Sequence, residues 1–421
     1  MREIPGPPPQ SDVAAAGGLH TYQLDLHERY GPVARFQLPG ALEAVSVADP
    51  VLLEATAAVN ERPDQLFEFL APLCEAGNLQ TLPAGEHGPL RRALLSVLAG
   101  RRSHEAHFAG FTALATELAD RWAERAAAGP VESQRDLSEL SLRMICQYAL
   151  GGGIDDPARV VSAFETVLTV YLGGLREGDE ESERALAYLR EVVDGVLAGG
   201  GSDLVAALVK ADLSPARVRD TVLMIMLAAH HTTGVAVSWT LHLLSRHPEA
   251  AARVAAELDE VLGERAAPEY ADLKRLTYLD MSLKESMRLY PPGPYGARET
   301  TEDLTLGDYH IPAGTTIFYP FWAVHLNPDH WPDPRAFIPD RFTPEEQAKR
   351  PRYAFIPFGL GPRSCEGAGL AMVEAELVLA VLLRRFRFEP VAGHPVVPVE
   401  RFVLWAESDI LLRVTERQMG Q

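Results

Sequence analysis

Apolar residues recur at three- and four-residue spacing through 108–126, 137–150, 160–171, 185–197 and 250–261, the period of helices that bury one face. Short β-like runs interrupt them. Val33-Ala34-Arg35-Phe36 and Val45-Ser46-Val47 flank Pro39-Gly40, and further runs lie at Leu304-Thr305-Leu306, from Thr315 to Tyr319, and at Phe402-Val403-Leu404. The pattern predicts a mainly α fold with small β-sheets (α+β), strand-rich near 32–48, 302–320 and 395–415. Its longest helix starts at Ser214-Pro215, a capping residue followed by proline at the first helical position. It runs to about His247, roughly 50 Å at 1.5 Å per residue. Near its middle, Leu227-Ala228-Ala229-His230-His231-Thr232-Thr233-Gly234 offers small side chains against which a flat cofactor or substrate can lie. Thr232 is also placed to bond back to the preceding turn and bend the helix.

Composition narrows the class. The 421 residues carry no Ser/Gly-rich linker, charge block or internal repeat, so a single domain over 1–421 is expected although the length alone suggests two or three. Cys74, Cys146 and Cys365 are an odd number with no framework spacing, which argues for a reducing, cytoplasmic setting. A net charge of −19 argues against nucleic acid and anionic membrane. The longest uninterrupted apolar run on the long helix, Val222 to Ala229, is too short to span a bilayer, and the Pro-rich N-terminus lacks an apolar signal core. Either no membrane anchor belongs to the chain, which is the expectation, or one has been removed; a monomer is expected.

One thiol stands in a distinctive setting. In Pro357-Phe358-Gly359-Leu360-Gly361-Pro362-Arg363-Ser364-Cys365-Glu366-Gly367, the glycines permit tight turns and close approach to a flat ligand. A helix opening after Cys365 aims its N-terminal N–H groups and dipole at the sulfur, which lowers a thiol's pKa. Phe358 can cover a macrocycle, Arg363 can reach a propionate, and Gly367 completes the turn. Spelled F-x-x-G-x-R-x-C-x-G, this segment resembles the haem-binding signature of cytochromes P450. In that family a cysteine thiolate, here Cys365, ligates the iron of haem b. The family usually has an aliphatic residue where this chain has Glu366. That carboxylate either lowers the iron potential, alters a partner face, or stays solvated without effect.

Further segments carry the resemblance in the family's order. Glu285 and Arg288, three apart on one helical face, resemble the E-x-x-R helix, and Arg341 in Pro339-Asp340-Arg341-Phe342 resembles the later arginine motif. The resemblance makes these three a buried structural network, since a carboxylate held between guanidinium groups stays ionised. His87 and Arg91 resemble an H-x-x-x-R helix over one propionate, and Arg298 and Arg363 complete the propionate set. His231-Thr232 takes the place of the usual acid–alcohol pair that relays protons to dioxygen. A His-Thr pair also occurs in sterol demethylases, and histidine shuttles protons near neutral pH. His231 as relay and Thr232 as its partner are thus the expected catalytic residues.

The resemblance implies a soluble, bacterial-type monooxygenase of secondary metabolism. Its fold would be a triangular helical prism with the long helix over the haem. It would insert one oxygen atom of O2 into a C–H bond. No flavin or iron–sulfur motif is present, so electrons would come from NAD(P)H only indirectly, through a ferredoxin or flavodoxin and its reductase. Arg91, Arg92, Arg101, Arg102, Arg384 and Arg385 are either a basic docking patch for such an acidic carrier or ordinary solvated arginines. Pocket positions by resemblance are Phe67, Phe69, Leu70, Tyr171, Leu227, Ala228, Tyr295, Val403 and Leu404. They are mostly apolar, which favours a terpenoid, polyketide or steroid-like substrate. Glu68, Glu75 or Arg401 would anchor a charged group if turned inward. Two alternatives remain open: haem-dependent desaturation, ring closure or rearrangement, and a non-catalytic haem protein that binds ligands.

Overall fold

Ser214 and Pro215 do start the longest helix. The Ser214 side chain accepts from the Arg217 N–H, and the helix runs Pro215–Arg246 over 32 residues. The computed structural model describes residues 2–8, 13, 16–38, 42–151, 156–172, 179–199 and 203–417, without the side chains of Phe69, Leu150, Pro157 and 168–172. The side chains of the pocket positions Phe69 and Tyr171 therefore lie outside what is described. Contacts divide the chain into two compact units. The first takes Met1–Phe67, Glu285–Cys365 and Pro398–Trp405, and the second Glu68–Lys284, Glu366–Val397 and Ala406–Gln421.

The first unit holds most of the β-structure. Strand Val33–Gln37 pairs antiparallel with Glu43–Val47, which pairs parallel with Thr316–Tyr319, and that strand pairs antiparallel with Gly296–Glu299. A hairpin joins Leu304–Leu306 to Tyr309–Ile311. The strand expected to begin at Phe402 instead begins one residue later, as Val403–Ala406. Phe402 has φ 64°, a left-handed turn conformation that ends Pro398–Arg401 and starts the return strand. Val33, Val45, Val47, Ile317 and Tyr319 form one apolar face with Phe321 and Val324. That buried face sets the strand register.

The second unit is helical. Helices Arg101–Ala126, Ser133–Leu150, Pro157–Leu172, Glu180–Ala198 and Pro248–Leu262 realise the segments expected from the periodicity. Ser133–Leu150, Glu180–Ala198, Pro248–Leu262 and Ala368–Arg385 pack directly on Pro215–Arg246, while Ala84–Leu98, Arg101–Ala126 and Pro157–Leu172 pack on those and neighbouring helices. The long helix meets the length and composition of a membrane span even though no single run in it does, yet 78% of its apolar window is buried inside the protein. Core packing accounts for that apolarity. Gly234 explains one close crossing: a Cβ there would lie 2.7 Å from the Leu137 carbonyl carbon and from the Ser138 nitrogen. This glycine, which the sequence suggested as a surface for a flat ligand, serves helix–helix contact instead.

Candidate functional site

The thiol loop belongs to the first unit and is held by its own backbone. The Gly359 N–H donates to the Ile356 carbonyl at 3.0 Å, Ser364 N–H to Gly361 at 3.1 Å, and Cys365 N–H to Phe358 at 2.8 Å. Gly359 and Gly361 have φ 73° and 66°. A Cβ on Gly361 would fall 2.0 Å from the Ala57 carbonyl oxygen, so no other residue fits. Together these bonds leave Cys365 exposed. The other cysteines differ in kind. Burial pushes the Cys146 thiol up to about 12, and burial also raises Cys74, beside Asn78 and Thr81. Only Cys365 of the three is exposed, and the chain continues through Gly367 into the helix Ala368–Arg385.

Arg363 is buried, and its Nε donates to the Asn60 carbonyl at 2.8 Å and to Oδ1 at 2.9 Å, which fixes the guanidinium's stem. Phe358 is half-buried. Arg298 is buried on the strand Gly296–Glu299, with Nη1 donating to the Ala297 carbonyl at 2.6 Å. Tyr295 on the preceding loop donates to Glu400, whose other oxygen lies 3.3 Å from His20 Nδ1. Val403 and Leu404 are fully buried, and Phe67 carries the Arg62 guanidinium 4.4 Å from its ring centre.

Glu285, Arg288 and Arg341 do meet. Arg288 uses all five of its N–H donors. Nε and Nη2 reach the two Glu285 oxygens at 2.7 Å each, while the rest reach the carbonyls of His325, Pro334 and Ala336. Arg341 Nε and the Ile338 N–H both donate to Glu285 Oε1, at 3.3 and 2.9 Å. Glu285 and Arg288 have no exposed surface, and a buried pair this fully bonded costs several kcal/mol to break from one side. Arg350 adds a cation–π contact, 4.1 Å over Trp331.

One residue of this network went unseen in the sequence. His325 offers its carbonyl to Arg288 and its Nε2 to the Ile356 N–H at 2.8 Å. Burial lowers its pKa to about 3, so the ring stays neutral and able to accept. A run of hydrogen bonds thus leads from Glu285 through Arg288, His325 and Ile356 to Gly359, at the turn that carries Cys365. The only sequence signal was a histidine four residues after Phe321, which nothing local distinguishes.

In the second unit the long helix shows a narrow opening. Between Asp220 and Leu244 every residue is buried except Ile225, Ala228, Ala229 and Thr232, spaced so that they share one face. Thr232 Oγ1 donates to the Ala228 carbonyl at 2.7 Å, as expected. Leu227 points away from this stripe and is fully buried, as is Leu70. His231 is buried as well. Its ring packs 3.5 Å, centre to centre, from that of His230, which stacks on Phe164 at 5.4 Å. Burial and the neighbouring His230 hold the His231 pKa well below its usual value, so it is neutral at pH 7 rather than poised to titrate there. The structure thus separates a threonine on the open stripe from a histidine packed beside it.

His87 and Arg91 share a face of Ala84–Leu98. Both face Glu366, which is not solvated: it pairs with Arg91, and its Oε1 lies 3.9 Å from His87 Nε2. Among the arginines considered for a docking patch, Arg384 is buried against Asp259 and the Gly263 carbonyl, and Arg385 pairs with Asp120 and Glu416. Neither is a loose surface charge, which leaves Arg92, Arg101 and Arg102 exposed. Glu75 pairs with Arg219 beside the 74–77 segment, whose N–H groups at Glu75, Ala76 and Gly77 all donate to Asp220.

Comparison with known proteins identifies the family. The sequence model of the cytochrome P450 family matches residues 193–414. The chain is 43% identical over 206 residues to cytochrome P450 4F8 of Homo sapiens, covering 48% of this chain and 39% of that protein. It is 34% identical over 301 residues to the cyclooctat-9-en-7-ol 5-monooxygenase of Streptomyces melanosporofaciens, covering 64% and 65%. Thromboxane-A synthase of Rattus norvegicus is 35% identical over 197 residues, covering 46% and 37%. The chain thus spans between about a third and two thirds of the length of these relatives.

Proposed function

Because the chain belongs to the cytochrome P450 family, whose prosthetic group is a haem with a cysteine thiolate on its iron, we propose that Cys365 is that ligand and that the protein is a monooxygenase acting on an apolar small molecule. The observation that carries this reading is the exposed thiol at the end of a self-bonded, glycine-dependent loop, set against two cysteines whose thiols burial keeps protonated. Within the first unit the donors fit the group, with one accessible sulfur for iron and Arg298 and Arg363 as propionate donors; within the second, His87 and Arg91 stand together on one helical face as a further donor pair. Phe358 would cover the macrocycle beside the sulfur, and Gly367, having no side chain, would let the backbone approach it.

When bound, the haem supplies reductive activation of dioxygen, with thiolate electron donation favouring O–O cleavage. The chain's residues do the remaining work. The stripe of Ile225, Ala228, Ala229 and Thr232 gives an apolar wall that orients substrate and excludes bulk water. With its proton committed to the Ala228 carbonyl, Thr232 Oγ1 presents lone pairs, so it holds a proton-bearing group rather than supplying the proton itself. His231, being neutral, can pass a proton only by accepting at one ring nitrogen while donating from the other. Electrons come from NAD(P)H through a separate ferredoxin or flavodoxin and its reductase. The relative named for cyclooctat-9-en-7-ol supports a cyclic, mostly hydrocarbon substrate.

His231 favours one second reading. A neutral, packed histidine where the family has an acid supplies protons poorly, which suits desaturation or ring closure. Turnover with reductase, ferredoxin, NADPH and isotopically labelled dioxygen decides. Label in the product supports insertion, and an oxidised or rearranged product without label supports the second reading. No turnover of any ligand that displaces water from the ferric haem would overturn both.

A further inference from the structure

The residue after the thiol offers a carboxylate to the very groups proposed above for a propionate. Glu366 Oε1 pairs with Arg91 Nη1 and lies 3.9 Å from His87 Nε2. The side chains of Glu366, Arg91 and His87 are 14%, 17% and 2% exposed. A pair so shielded is weakened little by salt. Arg91 and His87 stand one helical turn apart, so the carboxylate meets the same two donors that a propionate would. Its tether makes the competition unequal. Glu366 is one peptide unit from Cys365, so its local concentration at Arg91 stays high even while the sulfur is engaged. Two carboxylates cannot both take the best geometry on one guanidinium edge without facing each other as like charges.

We propose that Glu366 is an internal competitor for a haem propionate: it occupies Arg91 and His87 in the haem-free chain, and haem binds by displacing it. This rests on the haem-thiolate reading above and adds a property of this chain to it. Glu366 then offsets part of the haem affinity and speeds haem loss, because the returning carboxylate takes Arg91 from the departing propionate.

The test is the rate of haem transfer from the holoprotein to excess apomyoglobin. Glu366→Gln keeps the shape and removes the charge, and Glu366→Leu removes the polar group. Both are expected to slow haem loss by about ten-fold, the size of one charge-assisted hydrogen bond. In an Arg91→Gln background the same changes should have little effect, since the contested partner is gone. Unchanged or faster loss in Glu366→Gln overturns the proposal, as does equal slowing with and without Arg91. The shape-preserving variant decides alone if the leucine variant does not fold. A wild-type protein without the red-shifted band of a thiolate-ligated carbonyl complex would instead defeat the underlying haem assignment.

Discussion

Every turn of the loop over 357–365 is held by a hydrogen bond to its own or neighbouring backbone, whereas the open stripe on the long helix consists of methyl groups, one isoleucine and one hydroxyl. The loop has its geometry imposed from below by Glu285, Arg288 and His325, all buried. Around the stripe, the buried side of the helix is what is specified, by Gly234 against the Ser133–Leu150 helix and by His230 against Phe164. On the proposed reading the loop carries a metal ligand, which must be in place before the metal arrives, and the stripe is a substrate wall, which must stay unfilled. Changes beneath the loop should therefore cost folding and cofactor, and changes on the stripe should cost coupling.

The largest effect is expected under the loop. Glu285→Ala or Arg288→Ala leaves an uncompensated buried charge, a loss of about 3–5 kcal/mol. Purified variants should carry little or no haem by pyridine haemochrome assay. Full haem content in either would break the contrast between the two regions. Next comes the packed side of the long helix. Gly234→Ala forces a Cβ into the Leu137–Ser138 backbone and should lower stability by about 1–3 kcal/mol, read as a fall in Tm. A neighbouring change on the open face, Ala229→Val, should leave Tm nearly unchanged while altering which ligands shift the ferric spectrum. Equal losses of Tm would mean that the stripe is not open.

His325→Ala removes the acceptor for the Ile356 N–H, at about 1–3 kcal/mol for a buried donor left unpaired. Its expected signature is faster haem loss together with lower Tm, and His325→Gln should recover part of both. Thr232→Ala makes the converse case. Haem content and Tm should match wild type, while product formed per NADPH consumed falls about a hundred-fold, the lower end of what proton-handling groups contribute. Preserved coupling would remove Thr232 from the chemistry.

The smallest effect is on pH dependence, and buried groups of opposite sign set it. His27, His230 and His242, each lowered to about 4, His325 at about 3, and His231 are neutral when folded. Unfolding lets them bind protons, so stability falls as pH drops below about 6.5. Glu374 and Glu376, raised by burial to about 8, hold protons that the unfolded chain releases, so stability also falls as pH rises from about 4.5 to 8. Five histidines outweigh two carboxyls below about pH 6.5 and only the carboxyls act above it. Tm should therefore peak near pH 6.5. Glu374→Gln with Glu376→Gln should flatten the alkaline limb, and a Tm that does not vary between pH 5 and 8 would contradict this assignment.

What could be read from the sequence was local or spaced on one element. Helix periods, the Ser214-Pro215 start, three of the four strands of the first sheet (Gly296–Glu299 was not among them) and the i, i+3 pairing of Glu285 with Arg288 all depend on near neighbours. The glycines about Cys365 were legible because a positive φ narrows the choice of residue. What was not legible depends on distant chain. His325 reaches Arg288 across 37 positions and Glu366 reaches Arg91 across 275. Gly234 is required by the backbone of another helix, and Arg384 is buried by Asp259 far from it in sequence. Thr232 and His231 were read as a pair because they are adjacent, yet successive helical residues face directions about 100° apart. That rotation puts one on the stripe and the other in the packing.

The central claim is that one specified thiol ligates the haem iron, and the carbonyl spectrum of the reduced protein tests it most directly. Wild type, Cys74→Ser and Cys146→Ser should all give the red-shifted Soret band of thiolate ligation, and Cys365→Ser should lose it while the loop's backbone bonds still allow haem to bind. A Cys365→Ser protein that keeps the band, or a Cys74→Ser or Cys146→Ser protein that loses it with haem still bound, would contradict the account.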